Sequence, residues 1–244
     1  MRTSIDRMQP CRRPAGAAQG FQRWHRLLFV HWEVPEAVLR PLVPARLSLD
    51  TFEGRCFVGV VAFTMQKVRP YLWAPPVPSA REFGEINVRT YVHLDGSEPG
   101  VFFFSLDAES ALAVWAARTL WGLPYFRARI EIEYEGPEVS YRCQRRVGGL
   151  RWSASARTGA QLSAAGQDSL SFFLCERYQF YNERRGQLWR ARVHHTPYVL
   201  HAVEPAAAEP TLLNAAGLPA SSARTPDYFS PGVDVDVFAL EKVR

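Results

Sequence analysis

The segment 85–91 contains the side chains whose types and spacing are best suited to chemistry. Strongly polar residues occupy every second position, beginning with an acid and ending with a phenol. In a β-strand successive side chains point to opposite faces, so Glu85, Asn87, Arg89 and Tyr91 are predicted to share one face. Such a face could hold a small anion or polarise a carbonyl group. The same alternation also fits a half-exposed strand with its polar side in water and a cross-strand ion pair, and the pattern alone leaves both interpretations open.

Three further residues could complete a site of this kind. His31 lies in an early apolar stretch, and its imidazole could act as a general base because the ordinary pKa of histidine is close to neutral. Tyr125 could donate a proton, and Arg118 could bind an anion. Each also has a structural interpretation: His31 as a buried core histidine, Tyr125 as an aromatic core residue, and Arg118 as a cation near the C-terminal end of a helix.

The histidine and cysteine patterns predict no metal site and no bound cofactor. His194 and His195 are adjacent, so on a strand they would point to opposite faces and could not bind one ion together without a bulge. The sequence contains no H-E-x-x-H, phosphate-loop, dinucleotide-binding or G-x-S-x-G motif. The four cysteines are widely separated and form no C-x-x-C pair. They are expected to be reduced thiols, which predicts a cytoplasmic protein.

Charge and composition narrow the class of partner. The formal net charge is +5, yet the cations are scattered among acids, so no nucleic-acid partner is predicted. The sequence contains neither a secretory signal nor an apolar stretch long enough to cross a bilayer, so no membrane partner is predicted. Of the 29 lysine and arginine residues only Lys67 and Lys242 are lysines, which leaves few candidates for amine catalysis. The oligomeric state stays open, with a homo-oligomer as one alternative.

Strand patterns dominate the chain and predict a mostly β, α+β protein with a few short helices. The Ala-rich segment 108–120 predicts the best helix, with Asp107 as its N-cap and Gly122 at its end. Segment 169–181 fits either a helix or a strand, and the four prolines in 70–79 predict a long loop. Residues 1–20 are predicted to form a disordered tail and residues 21–244 a single domain.

Six segments, taken together and in this order, resemble the YqjF-like proteins, a bacterial family of unknown function (DUF2071). They are residues 29–35, 83–92, 100–107, 122–125, 174–178 and 195–197. The resemblance runs from about residue 21 to the C-terminus. That family is similar in fold to acetoacetate decarboxylase. The resemblance therefore implies a curved antiparallel β-sheet, wrapped into a cone-like barrel around an internal cavity.

The resemblance also implies which residues could face that cavity. In the decarboxylase a lysine in an R-x-x-x-G-x-P-K stretch forms a Schiff base with a β-keto acid, and a glutamate on an earlier strand faces its amine. Here Arg118, Gly122 and Pro124 keep the spacing, but Tyr125 stands where the lysine would be. Glu85 matches the glutamate. Because a tyrosine cannot form an imine, Schiff-base decarboxylation is not expected.

Two hypotheses from different classes follow. The first is a small-molecule-binding protein, or an enzyme with lyase- or isomerase-type acid–base chemistry, whose ligand is a small carboxylate or keto/enol compound. Arg89 would hold this ligand, and Glu85 and Tyr125 would act on it. The second is a non-catalytic structural or interaction module with a fully packed interior. The two differ in whether Glu85 and Arg89 face a void. A third hypothesis retains amine catalysis through Lys67.

Overall fold

Strands make up most of the regular secondary structure. The structure, a computed structural model, describes residues 5–69, 82–204, 206–219 and 223–243, so the loop predicted for 70–79 lies outside the described residues. The strands are β1 (Gly20–Glu33), β2 (Ser48–Leu49), β3 (Phe57–Arg69), β4 (Glu82–Leu94), β5 (Ser97–Ala108), β6 (Tyr125–Glu135), β7 (Glu138–Arg145), β8 (Arg151–Gln161), β9 (Gln179–Arg184), β10 (Gln187–His194), β11 (His201–Val203), β12 (Ala207–Ala208), β13 (Tyr228–Val237) and β14 (Glu241–Lys242).

The helices are short. They are α1 (Glu36–Leu39), α2 (Ala111–Ala116), α3 (Leu170–Cys175) and α4 (Thr211–Ala215), with 3-10 turns at Gln9–Cys11 and Arg40–Leu42 and a π-helical turn at Ala117–Trp121. Within the described ranges, no helix is both long enough and apolar enough to span a lipid bilayer.

The strands pair in a ring rather than in an open row. β13, β1, β3, β4 and β5 pair in that order, all antiparallel. β5 then pairs in parallel with β9, β9 pairs with β10, and β10 returns to β13. A second path runs from β5 through β6, β7, β8 and β11 and also ends at β13. The sheet is therefore strongly curved, and β1, β3 and β4 form a wall between two hydrophobic cores.

The wall is buried on both of its faces. The central parts of β1, β3 and β4 are buried without interruption, which explains their nearly continuous apolar sequences. One face, here named the apolar face, consists of Val30, Val58, Val60, Ile86 and Val88. The opposite face carries the side chains of His31, Glu85, Asn87, Arg89 and Tyr91, with Gly59 among them, beside the apolar side chains of Phe29, Val61 and Phe63; it is here named the polar face. The predicted sharing of one face by the odd-numbered β4 side chains agrees with this arrangement.

Helix α3 packs on the polar face. Ser169 caps its first turn, where the Ser169 hydroxyl accepts a hydrogen bond from the Phe172 backbone N–H at 3.2 Å. The Phe173 ring then lies 5.1 Å from the Tyr91 ring and 5.8 Å from the Phe57 ring, measured between centroids. The ambiguous segment 169–181 thus divides into a short helix followed by strand β9.

The Ala-rich helix begins later than the sequence predicts. Strand β5 continues through Ala108, which is fully buried, so the helix starts at Ala111 with Ser110 as its N-cap. Asp107 is not a cap, because its carboxylate forms a buried bidentate ion pair with Arg145 at 2.7 and 2.9 Å. The end of the helix is as predicted: Gly122 adopts a left-handed conformation with φ of 67°.

Residues 5–19 contact the strands that follow them. Arg7 forms an ion pair with the buried Asp50, Arg13 pairs with Asp236, and Ala18 is buried. Arginine side chains of this polar segment thus contact residues of the following chain. The division of the chain into a tail and one domain stays a prediction.

Candidate ligand-binding site

Three neighbouring strands bring His31, Gly59 and Arg89 into one row. His31 on β1 pairs with Gly59 on β3, and Gly59 pairs with Arg89 on β4. A Cβ atom at position 59 would lie 3.0 Å from His31 Cδ2 and 3.2 Å from the Tyr91 hydroxyl oxygen. The absence of a side chain at Gly59 therefore lets the imidazole and the phenol approach each other over the sheet backbone.

Arg89 is buried at the centre of the polar face. One guanidinium nitrogen donates to the Leu174 backbone carbonyl at 3.1 Å, and Cζ lies 5.9 Å from the ring centroids of both Phe29 and Tyr91. Its Nε has no hydrogen-bond partner among the residues that the structure describes. Arg89 forms no ion pair with any acidic side chain in the part of the chain that the structure describes. The guanidinium is thus surrounded mainly by aromatic rings.

His31 is completely buried, and neither of its ring nitrogens has a hydrogen-bond partner among the described residues. Burial lowers its pKa well below the ordinary value, and the positive charges of Arg89 and Arg224 lower it further. His31 is therefore neutral at pH 7. A neutral imidazole carries one donor and one acceptor, and both are available to a bound molecule.

Asn87 and Tyr91 differ in how well their polar atoms are satisfied. The Asn87 Oδ1 is buried and has no partner among the described residues. The Tyr91 hydroxyl donates to the Leu174 carbonyl at 2.8 Å, so it shares that acceptor with Arg89. Burial raises the pKa of Tyr91 to about 12. Tyr91 thus supports the position of Arg89 and α3, whereas Asn87 has hydrogen-bonding capacity left over.

Glu85 and Tyr125 form a second polar pair on the same face. The Tyr125 hydroxyl donates to Glu85 Oε2 at 2.8 Å. Burial raises the pKa of Glu85 to about 7, against the lowering effect of that hydrogen bond, with Asp107 contributing a further increase. Burial and the Glu85 charge hold the pKa of Tyr125 well above its ordinary value. Glu85 can therefore gain or lose a proton near neutral pH, while Tyr125 stays protonated.

The surroundings of Arg89 and the Glu85–Tyr125 pair lie at different positions along β4. Glu85 and Arg89 are four residues apart, which corresponds to about 13 Å between their Cα atoms. Asn87 lies between them.

Arg118 is not part of this arrangement. It lies in the π-helical turn Ala117–Trp121, and its side chain is exposed. Its place in the R-x-x-x-G-x-P spacing made it a candidate, but the turn places it in solvent. Both lysines are exposed as well, so the third hypothesis, amine catalysis through Lys67, has no support from the structure.

His195 is a second buried histidine, for which the sequence suggested only the role of a metal ligand. His195 follows β10 and is 3% exposed, with its ring between those of Tyr178 and Tyr198. It belongs to one of the segments that carry the family resemblance, which was the available signal. Among the described residues, no group of three or more His, Cys, Asp or Glu side chains is arranged to hold a metal ion.

Two surface cavities lie elsewhere. One, of about 330 Å³, is lined by residues of β6, β7 and β8 that include Arg142 and Trp152. The other, of about 470 Å³, is lined by Trp24, His25 and Thr196 with part of β13. Neither is lined by Glu85 or Arg89. An internal cavity at the polar face stays a prediction.

The curved sheet and its short helices define the class of protein. The fold is that of acetoacetate decarboxylase from Legionella pneumophila, with a TM-score of 0.68 at 14% identity, covering 97% of this chain and 94% of that one. An acetoacetate decarboxylase-like enzyme from Sphingomonas wittichii RW1 gives 0.62 at 14% identity, covering 94% of each chain. The enduracididine biosynthesis enzyme MppR, complexed with pyruvate, gives 0.62 at 12% identity, covering 93% of this chain and 91% of that one.

Sequence comparison identifies the family. Residues 21–234 match DUF2071, described as an uncharacterized conserved protein. The uncharacterized protein YqjF of Bacillus subtilis (strain 168) is 36% identical over 222 residues, which is 91% of each chain. The chain belongs to the DUF2071 family. The family membership and the acetoacetate decarboxylase-like fold implied by the resemblance are both confirmed.

Proposed function

We propose that this protein binds a small carboxylate or keto/enol compound against the polar face, with Arg89 as the anchor. One observation carries the proposal. Three arginines are buried in the described residues, and two of them have a carboxylate partner. Arg145 pairs with Asp107 at 2.7 Å, and Arg177 pairs with Asp50 at 2.8 Å. Arg89 has no such partner within the same described ranges.

A ligand carboxylate would supply the negative charge that Arg89 lacks among the described residues. A buried cation is costly unless an anion and hydrogen bonds compensate for the lost hydration. A carboxylate can accept a charge-assisted hydrogen bond from Arg89 Nε, which has no partner within the described ranges. The neutral His31 beside it can donate or accept without adding a charge that would repel Arg89. The arrangement thus favours a small anion over a neutral or cationic ligand.

Proton transfer is the chemistry that Glu85 and Tyr125 could supply. A carboxyl group with a pKa of about 7 can act as a general acid or a general base at neutral pH. The Tyr125 hydroxyl stabilises its ionised form through the 2.8 Å hydrogen bond. If the protein is an enzyme, lyase- or isomerase-type acid–base chemistry fits this pair. Schiff-base chemistry does not fit, because both lysines are exposed.

The ligand class is consistent with the fold neighbours. The enduracididine biosynthesis enzyme MppR has been crystallised with pyruvate, a small keto acid. That enzyme is only 12% identical to this chain, so it supports the size and charge of the ligand rather than its identity.

The proposal is tested by a thermal-shift screen with small keto acids, hydroxy acids and simple carboxylates. A ligand at tenfold its Kd adds about 1.4 kcal/mol to the free energy of unfolding, or roughly 3 °C in Tm for a chain of this size. We expect at least one of these compounds to raise the Tm of the wild type and of Arg118→Met, which removes an exposed arginine. Arg89→Met should abolish the shift. No shift with any compound, or an equal shift in Arg89→Met, would reject the proposal.

A packed, non-catalytic interior is the second candidate, and one observation favours it. The α3 carbonyl of Leu174 accepts hydrogen bonds from both Arg89 and Tyr91, and Phe173 packs on the Tyr91 ring. Helix α3 therefore occupies space next to Arg89. Under this alternative the screen gives no shift.

The cellular setting is also a proposal. The four cysteines are all free thiols, and three of them are buried, as expected for a protein kept in a reducing compartment such as the cytoplasm. We expect a small molecule as the partner rather than a nucleic acid or a membrane, with a homo-oligomer as an open alternative. Cell fractionation together with size-exclusion chromatography would test these expectations.

A further inference from the structure

His195 adds a second buried imidazole to the same interior. Its ring lies 4.4 Å from the Tyr178 ring and 4.6 Å from the Tyr198 ring, between centroids. The Tyr178 ring is nearly parallel to it, at an interplanar angle of 20°. These two tyrosines fix the plane of the imidazole, so its ring nitrogens have defined directions.

The hydrogen bonds of His195 fix its tautomer. Nδ1 lies 2.7 Å from the Thr196 backbone carbonyl, which can only accept, so Nδ1 must carry the hydrogen. Nε2 then presents a lone pair, and it is buried with no partner among the described residues. Burial lowers the pKa of His195 to about 4, so the ring is neutral at pH 7. His195 Nε2 is therefore a buried acceptor that lacks a donor.

Aromatic contacts connect His195 to the Arg89 region. The Tyr198 ring packs edge-on against the Phe29 ring at 5.3 Å, and Arg89 Cζ lies 5.9 Å from the same Phe29 ring. The charge of Arg89 also contributes to the low pKa of His195, which is consistent with their proximity. A continuous series of contacts thus joins His195 to Arg89 through Tyr198 and Phe29, which belong to the same hydrophobic core.

The unsatisfied atoms of this interior describe the ligand that would complement them. Among the described residues, Arg89 Nε and one ring nitrogen of the neutral His31 are donors without partners, whereas Asn87 Oδ1, His195 Nε2 and the other His31 nitrogen are acceptors without partners. A keto acid offers acceptors only, so it could satisfy the donors but none of the acceptors. A carboxylate that also carries a hydroxyl offers the missing donor. The same reasoning applies to an enol, whose oxygen carries a hydrogen.

We propose that His195 contacts the ligand, and that its Nε2 accepts a hydrogen bond from a ligand hydroxyl, so that the preferred ligand is a 2-hydroxy or enol carboxylate rather than the corresponding keto acid. This inference rests on the proposed function, because it requires a carboxylate held by Arg89. Beyond the proposed function, it specifies a hydroxyl as the second polar group of the ligand and His195 as the residue that recognises this hydroxyl.

Isothermal titration calorimetry with racemic lactate and with pyruvate tests the inference, since the two compounds differ only at C2. A hydrogen bond to an otherwise unsatisfied buried acceptor corresponds to about a tenfold difference in Kd. We expect the wild type to bind lactate about tenfold more tightly than pyruvate. His195→Phe keeps the aromatic packing without the acceptor, so it should bind both compounds with about the pyruvate affinity of the wild type. His195→Gln, which keeps an acceptor near Nε2, should retain part of the preference.

The outcomes separate this inference from the proposed function. Binding of neither compound by the wild type would overturn this inference and leave the Arg89 site to the wider thermal-shift screen, whereas undiminished binding by Arg89→Met would overturn both. Equal affinities in the wild type, or a lactate preference that persists in His195→Phe, would overturn the role of His195 and leave the Arg89 site in place. If His195→Phe does not fold, 15N NMR of histidine-labelled wild type decides: lactate should shift the Nε2 resonance of His195, and an unchanged resonance in saturating lactate contradicts the inference.

Discussion

Strands β1, β3 and β4 present two buried faces of opposite chemical character. On the apolar face, Ile86 and Val88 lie in a core of aliphatic side chains and contribute no polar group. On the polar face, the alternate residues Glu85, Asn87 and Arg89 are also buried, and Asn87 Oδ1 and Arg89 Nε have no hydrogen-bond partner among the described residues. Burial costs the polar residues hydration, whereas it stabilises the aliphatic ones. The wall of β1, β3 and β4 therefore separates a face that stabilises the fold from a face whose polar atoms suit ligand binding.

The largest expected effect comes from the apolar face. Ile86→Ala should lower the free energy of unfolding by about 3 kcal/mol, because it removes buried methylene groups and leaves a cavity. Urea denaturation measures this change, and Ile86→Val, at about 1 kcal/mol, is the matched milder variant. The folded Ile86→Ala protein should keep its ligand affinity. A large loss of affinity would mean that the two faces are not independent.

Glu85→Gln should raise the free energy of unfolding, whereas Ile86→Ala lowers it. The pKa of Glu85 is raised from 4.5 to about 7 in the folded protein, so the folded state binds the proton more tightly than the unfolded state. The stability gained from that proton is present below pH 4.5 and is lost as the pH rises through 7. At pH 8 Glu85→Gln should therefore be more stable than the wild type by on the order of 3 kcal/mol. Urea melts at pH 5 and pH 8 should show the difference shrinking at the lower pH, and a difference independent of pH would contradict the raised pKa.

Tyr125→Phe tests the second polar pair. The Tyr125 hydroxyl stabilises the ionised form of Glu85, so its removal should raise the pKa of Glu85 further. The stability at pH 8 should fall by about 1 kcal/mol, the usual net value of one hydrogen bond. Carboxyl 13C NMR of labelled glutamate follows the titration directly. A pKa that stays the same or decreases would show that the hydrogen bond does not control Glu85.

The smallest expected effect on stability is at Gly59. A Cβ atom there would press on the His31 ring at 3.0 Å, so the ring must shift slightly. If the interior holds space for a ligand, the ring can move, and Gly59→Ala should cost less than about 1 kcal/mol while weakening ligand binding. A fully packed interior would instead resist, at a cost of about 1–3 kcal/mol. Urea denaturation and calorimetry on one variant thus separate the two candidate functions.

The sequence was sufficient for some parts of this comparison. Strict alternation placed Glu85, Asn87 and Arg89 on one face, because side-chain direction in a strand depends only on local geometry. It could not show that this face is buried, because helix α3, which packs on Arg89 and Tyr91, is distant from β4 in the sequence. The β-rich fold was likewise predictable, whereas its ring-like pairing followed only from the family resemblance.

Errors arose where local signals competed with tertiary packing. Asp107 has the right chemistry for an N-cap, yet its buried ion pair with Arg145 holds it in β5, and Ser110 caps the helix instead. The sequence made Arg118 and His31 candidates alike, but Arg118 is exposed to solvent and His31 is fully buried. The buried aromatic surroundings of His195 were not predicted, because neither its tautomer nor its aromatic neighbours can be read from sequence spacing.

The most direct test of the central claim is a crystal structure of the protein soaked with pyruvate. We predict electron density for the carboxylate within hydrogen-bonding distance of Arg89 Nε and next to the His31 ring. The same crystals without pyruvate should show ordered water at that position, because the buried polar atoms there need partners. Protein side chains filling the space around Arg89, with no density for pyruvate, would contradict the account and establish the packed interior.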